Sequence, residues 1–129
     1  MDRSEKANRW LLQAQHNLDA AVILQKSGFW DTCALMCQQT AELALKALWI
    51  DKQLQDPPRI HWIERLAADL DAPENVVDAA LILVGDYMSS RYPDSTRVVP
   101  FNQYTVEDAN DRIARAEVIL NWVISQWGQ

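Results

Sequence analysis

A short stretch around residue 94 concentrates side chains that could contact a phosphate. It contains Arg91, Tyr92, Asp94 and Arg97, and it follows the end of a predicted helix. Guanidinium groups can bind phosphate oxygens through two parallel hydrogen bonds, so the stretch could form an anion site. Arg91 could instead pair with Asp94 and fix a surface loop. The residue types allow both interpretations, an anion site and a structural loop.

A second pair of charged residues, Glu42 and Lys46, is separated by one helical turn. With the acid before the base, such a pair stabilises an exposed helix by only about 0.2–0.5 kcal/mol. We therefore expect an ion pair on a solvated helix face. If Lys46 and Arg91 lie on neighbouring helix ends, the two cations could share one cleft and bind an anion together.

The histidines and cysteines indicate structure more than chemistry. His61 follows the loop at Pro57–Pro58, near the start of a predicted short helix. Cys33 and Cys37 are one helical turn apart, a spacing that suits neither a disulfide within a helix nor a zinc site without further ligands. We expect both to be buried as small apolar residues. The sequence shows no glycine-rich phosphate loop, Ser/His/Asp arrangement or paired-carboxylate signature, and we expect neither a cofactor nor a metal.

Apolar residues recur at helical spacing along most of the chain, and this predicts the elements that must position these groups. We expect an all-α, up-and-down bundle of four to five helices forming one domain over residues 1–129. The predicted helices span residues 4–26, 31–52, 60–70, 72–91 and 105–127. Asp71 and Thr105 are the predicted caps of the last two helices.

The last predicted helix carries an apolar stripe with strict 4-3 spacing. Such a stripe can pack inside the chain or against a second copy of it. The stripe consists of Ala109, Ile113, Ala116, Leu120, Val123 and Trp127.

The composition restricts the possible partners and the cellular location. The formal net charge is −6 and the sequence pI is about 4.7. Proteins that coat nucleic acid with their whole surface are normally basic, so any contact with a nucleotide or RNA must be local. The N-terminus is charged and no apolar run is long enough to cross a bilayer, so we expect a cytoplasmic protein without a membrane segment.

The run Gln38–Leu48, QQTAELALKAL, resembles the "QQAAEKALKALL" signature of HEPN domains, the nucleotide-binding domains of higher eukaryotes and prokaryotes. Three further stretches agree with that family in order and spacing. Residues 20–30 resemble the end of the first helix of the family. Residues 61–66 resemble its "H-D-L-x-x-L" element, with Trp62 in place of the acid. Residues 91–94 match its "RYPD" motif.

The resemblance implies a helical bundle that is frequently dimeric and often encoded beside a minimal nucleotidyltransferase. As the histidine of the family's H-D-L element, His61 is expected to be structural and to satisfy backbone groups at the start of its short helix. Many HEPN proteins are metal-independent ribonucleases with an Arg-x4-6-His motif, and the corresponding arginine here is Arg91. The positions at which the histidine could fall hold Thr96, Arg97 and Val98. Another Arg-x6-His string, Arg9 and His16, lies on the first predicted helix, away from the site of the family. The missing histidine argues against catalysis much more than it argues against the expected fold.

The sequence thus predicts a non-catalytic, nucleotide- or RNA-associated binding module. It would act as a homodimer and as the partner of a minimal nucleotidyltransferase, as in a toxin–antitoxin pair. The predicted site consists of Lys46 and Arg91 as anion contacts, together with Glu42, Tyr92 and Asp94. Two alternatives stay open: a ribonuclease toxin that pairs Arg91 with a distant histidine such as His61, and a purely structural helical dimer. A cleft that holds Lys46, His61 and Arg91 together would favour the ribonuclease, whereas burial of Arg91 by Asp94 would favour the structural dimer.

Overall fold

Two long helices joined by a three-residue turn form the first half of the protein. The structure is a computed structural model that describes residues 1–53, 55–94 and 97–128. The turn contains Gly28 with φ +82°, a left-handed conformation that glycine adopts without strain, and it ends the first helix where the sequence predicts. The helices in chain order are α1 (Arg3–Lys26), α2 (Trp30–Gln53), α3 (Ile63–Asp69), α4 (Glu74–Val84), α5 (Asp86–Ser89), α6 (Pro100–Gln103) and α7 (Val106–Gln126).

Helix α2 is the centre of the bundle, because it packs against α1, α7 and each of the shorter helices. More than half of its residues are buried, including Cys33 and Cys37, which are fully buried as predicted. Helix α7 packs against α1, α2 and α4. The predicted all-α, up-and-down bundle is thereby confirmed. A helix enclosed on several sides must bury its polar residues as well, and this determines the character of the site.

The predicted helix over residues 72–91 is divided at Gly85 into α4 and α5. Its predicted start is wrong as well, because Asp71 adopts a left-handed conformation with φ +57° and Pro73 takes the N-cap position instead. The buried face of α4 consists of Val76, Ala79, Ala80 and Leu83. The helical spacing of Val77, Ala80, Leu81, Val84 and Met88 predicts that they form the buried face, but Leu81 and Met88 are each 52% exposed.

The last helix begins as predicted, with a reciprocal cap. The Asp108 amide donates to the Thr105 hydroxyl oxygen over 3.2 Å, and the Thr105 amide donates to the Asp108 carboxylate over 3.0 Å. The 4-3 stripe of α7 faces the chain's own core, where Ala109, Ala116 and Val123 are fully buried. The stripe therefore gives no support to a dimer, and a second copy would have to use other surfaces.

The predicted loop from Tyr92 to Tyr104 includes one short helix, α6. Thr96, one of the three positions at which the ribonuclease histidine could fall, lies outside the described residues. Within the described part of the chain, none of the helices combines the length and the apolar character that a membrane crossing requires.

Candidate functional site

The Glu42–Lys46 ion pair is buried, which contradicts the predicted exposed pair. The Lys46 Nζ atom lies 3.2 Å from Glu42 Oε2, and the Lys46 and Glu42 side chains are only 8% and 9% exposed. Both residues lie on the segment of α2 that the other helices enclose. The charges are thus removed from water, and each depends on the other for its stability.

Glu42 has two further partners through its other carboxylate oxygen. The buried Gln38 side chain, one turn earlier on α2, donates its amide Nε2–H to Glu42 Oε1 over 3.1 Å. His61 Nδ1 lies 2.8 Å from the same oxygen. A buried carboxylate with three donors is well satisfied, and it holds the His61 ring in one orientation.

His61 is therefore tied to α2 by its side chain, whereas the sequence placed it as a cap for backbone groups. Because a carboxylate only accepts hydrogen bonds, Nδ1 carries the proton, and in the neutral ring Nε2 is the acceptor. The Tyr87 hydroxyl lies 3.2 Å from this second nitrogen. The Tyr87 and His61 rings also stack, with centroids 4.2 Å apart and an angle of 19° between their planes. The His61 side chain remains 51% exposed.

Arg91 covers the Tyr87 ring, with its guanidinium carbon 4.5 Å from the ring centroid. The same carbon lies 5.4 Å from the centroid of the Tyr92 ring. Both distances are typical of cation–π contacts. Arg91 and Asp94 are exposed, and no ion pair joins them within the described part of the chain. The alternative in which Asp94 buries Arg91 is therefore wrong.

These contacts form one continuous series that we call the polar relay. It runs from Lys46 through Glu42, His61 and Tyr87 to Arg91. At the buried end, the positive charge of Lys46 and the negative charge of Glu42 offset each other. The remaining charge of the relay is therefore that of Arg91, at the exposed end. Such a relay can present a fixed imidazole, a phenol and a cation to a ligand. It links Lys46, His61 and Arg91 through a series of contacts, but Lys46 is buried and lines a different cavity from His61, so the three do not share the single cleft that would favour the ribonuclease.

The sequence identified three members of the relay, Glu42, Lys46 and Arg91, and missed the contribution of Tyr87. Tyr87 lies four residues before Arg91, a spacing that brings two side chains together on one helical turn. That spacing is a signal that could have identified it. The pairing of His61 with Glu42 joins residues 19 positions apart, and no local pattern predicts it.

An apolar cavity of about 290 Å³ opens beside the exposed part of the relay. Its walls are Arg59, Ile60, His61, Trp62, Val84, Tyr87 and Met88. Lys46 lines a different cavity, to which Arg59 also contributes. A flat aromatic or heteroaromatic group is the kind of ligand that suits a cavity with aromatic and aliphatic walls beside a guanidinium.

A buried polar cluster holds α5, and with it Tyr87, in position. The Asp86 carboxylate accepts hydrogen bonds from the Tyr104 hydroxyl over 2.6 Å and from Arg112 Nε over 2.7 Å. Burial raises the pKa of Asp86 above its usual range, against the opposing influence of Tyr104 and Arg112. Because Tyr87 is the next residue in the chain, this cluster fixes the segment that carries the phenol of the relay.

The fold and the sequence both have known relatives. The HEPN domain family matches residues 7–127. The crystal structure of TT1696 from Thermus thermophilus is similar with 34% identity and a TM-score of 0.85, covering 97% of this chain and 98% of that one. The structure of ST0689, described as an archaeal HEPN homologue, is similar with 33% identity and a TM-score of 0.81, covering 98% of both chains.

A HEPN domain protein from Thermotoga maritima, tm0613, has the same fold, with 22% identity, a TM-score of 0.70 and coverage of 91% of this chain and 95% of that one. The comparison with curated proteins gave no match. The family match extends over nearly the whole chain, and the resemblance noted in four separate sequence stretches is thereby confirmed. The chain belongs to the HEPN domain family.

Proposed function

We propose that this HEPN domain is a binding module for a nucleotide or for RNA, with its site at the exposed end of the polar relay. The observation that carries the proposal is the position of Arg91, an exposed cation stacked on Tyr87 at one end of the relay. Tyr87 also forms a wall of the apolar cavity. A nucleotide combines a flat base with a phosphate, and the two groups match the cavity and the cation respectively.

The other residues of the proposed site have distinct roles. Tyr92 supplies a second ring beneath the Arg91 guanidinium, and the exposed Asp94 belongs to the same loop. Glu42 and Lys46 act indirectly, since they hold His61 in place from inside the bundle. In a chain of net charge −6, a local cation beside an apolar cavity is the feature that would attract a phosphate.

Replacing Arg91 with alanine should weaken binding of adenosine monophosphate or a short RNA by roughly ten- to a hundredfold. The physical reason is the loss of one charge-assisted hydrogen bond to phosphate. Arg91 forms no ion pair within the described residues, and its exposed cation–π contacts with Tyr87 and Tyr92 are each worth only about 0.5–1 kcal/mol. The melting temperature should stay nearly unchanged. Isothermal titration calorimetry and thermal unfolding on the same sample measure both quantities.

The matched control is Arg65→Ala, which removes an exposed arginine from α3, outside the relay. It should leave both the affinity and the melting temperature as they are in the wild type. A clear drop in melting temperature for Arg91→Ala with unchanged affinity would contradict the binding site and support a structural role for the loop.

A ribonuclease is the second candidate, and the observation that favours it is the Glu42–His61 contact of 2.8 Å. A carboxylate that orients a half-exposed histidine is an arrangement found in general acid–base catalysis. Arg91 would then stabilise the phosphorane formed by attack of a 2′-hydroxyl. We favour binding without cleavage, since both His61 ring nitrogens already have partners. The three positions of the motif at which a histidine is expected hold Thr96, Arg97 and Val98 instead.

Our proposal includes two protein partners, a second copy of this chain and a minimal nucleotidyltransferase, in a cytoplasmic pair of the toxin–antitoxin kind. Exposed apolar side chains support an interface, among them Phe101, which is 69% exposed, and Leu81. Light scattering tests the homodimer. If all of the protein has a mass of 14.8 kDa, that of a single chain, at micromolar concentration, the homodimer is ruled out. Co-expression and co-purification with a nucleotidyltransferase encoded beside this protein tests the second partner.

A further inference from the structure

A second cavity, of about 170 Å³, is also lined by Arg59. Its other walls are Lys6, Trp10, Lys46, Asp56, Pro57 and Pro58. Because the exposed Arg59 lines both cavities, the two are neighbours. We call the two cavities, together with the segment of residues 57–62 that contributes to their walls, the groove.

The charges in this groove favour a phosphate at Arg59. Lys6 is paired with Asp56, and Lys46 is paired with Glu42, so each of these lysines has a carboxylate partner. Arg59 is exposed and makes no ion pair with any residue that the structure describes. Its guanidinium is therefore available to a phosphate that passes from one cavity to the other.

The aromatic residues favour bases on either side of that phosphate. The exposed Trp62 lines the first cavity, and the half-buried Trp10 lines the second beside two prolines. Single-stranded nucleic acids bind proteins by stacking successive bases on aromatic rings, with cations following the backbone. A mononucleotide would leave the second cavity empty, whereas two linked nucleotides would use both.

We propose that the cavity between Trp10 and Arg59 is a second nucleotide subsite, so that the ligand is a single strand of at least two nucleotides with its linking phosphate on Arg59. This inference rests on the proposed function, because the first nucleotide occupies the cavity beside Tyr87 and Arg91. It names the ligand as an oligonucleotide and explains how an acidic protein can hold RNA through a short, local contact.

The test compares 5′-adenosine monophosphate with the dinucleotide pApA in isothermal titration calorimetry at fixed ionic strength. The dinucleotide should bind more tightly by roughly five- to a hundredfold, the gain expected from stacking one further base. Trp10→Leu should remove most of this gain while leaving the affinity for the mononucleotide unchanged. Arg59→Gln should also remove most of the gain, and because Arg59 lines both cavities, its effect is measured as the ratio of the two affinities. Arg65→Gln, on the exposed surface of α3, is the control and should retain the full gain.

Trp10→Phe separates stacking from folding, since it keeps an aromatic ring and should retain most of the gain. Equal affinities for the two ligands, with no effect of Trp10→Leu or Arg59→Gln, would overturn the second subsite and leave the proposed function standing. Absence of binding by both ligands would overturn the proposed function and the subsite together. Loss of the gain in Trp10→Leu with retention in Trp10→Phe would establish the subsite.

Discussion

Replacing Glu42 with alanine is expected to lower the free energy of unfolding by about 3–5 kcal/mol. The side chains of Glu42 and Lys46 are both more than 90% buried, and their charged atoms are 3.2 Å apart. Removing the carboxylate leaves the Lys46 ammonium in the bundle without its partner, and Gln38 and His61 each lose an acceptor. Since a domain of this size has a total stability of about 5–15 kcal/mol, the loss is a large part of it.

Chemical denaturation monitored by circular dichroism measures this effect, and thermal unfolding should show a fall of roughly 10–20 °C. The matched control is Glu5→Ala, which breaks the exposed pair of Glu5 with Arg9, also spaced four residues apart on a helix. It should cost no more than about 1 kcal/mol. If Glu42→Ala also lowers the free energy of unfolding by less than about 1 kcal/mol, the buried pair contributes no more to stability than a surface pair.

Purified wild-type protein is expected to leave single-stranded RNA uncut in the absence of metal. A general acid–base group typically contributes about 10²–10⁴-fold to such a reaction, and the histidine that would supply it within the expected motif is not available at Arg97 or Val98. His61 is held between Glu42 and Tyr87, with a partner at each ring nitrogen. End-labelled RNA, followed by gel electrophoresis at several pH values, measures the cleavage rate.

The two histidines of the chain provide an internal control for this experiment. His16 is exposed on α1, and His61 belongs to the relay. If the wild-type protein cuts RNA, if His61→Ala slows the cutting by about 10²–10⁴-fold, and if His16→Ala does not, then the ribonuclease candidate is correct. Cutting that persists equally in both variants would indicate a contaminating nuclease.

Much of the fold follows from local patterns in the sequence. Helices α1, α2 and α7 begin and end within about two residues of their predicted positions, because periodicity, Gly28 and the Thr105–Asp108 capping box act within one or two helical turns. The family resemblance also rests on contiguous residues, such as Gln38–Leu48. Helix α4 shows where this reasoning fails, since Val76 and Leu83 are buried there and Leu81 is exposed. Periodicity gives the spacing of a buried face, whereas the neighbouring helices determine which face is covered.

The sequence by itself determined the helical class, the family and three of the residues in the relay, since each of these depends on residue types at short spacings. Only the tertiary structure decided that Glu42 and Lys46 are buried, because burial depends on the helices packed around α2. Only the tertiary structure paired Glu42 with His61 and brought Tyr87 and Trp10 into two cavities that Arg59 also lines. These residues lie far apart in the chain, and they meet only after the bundle has formed.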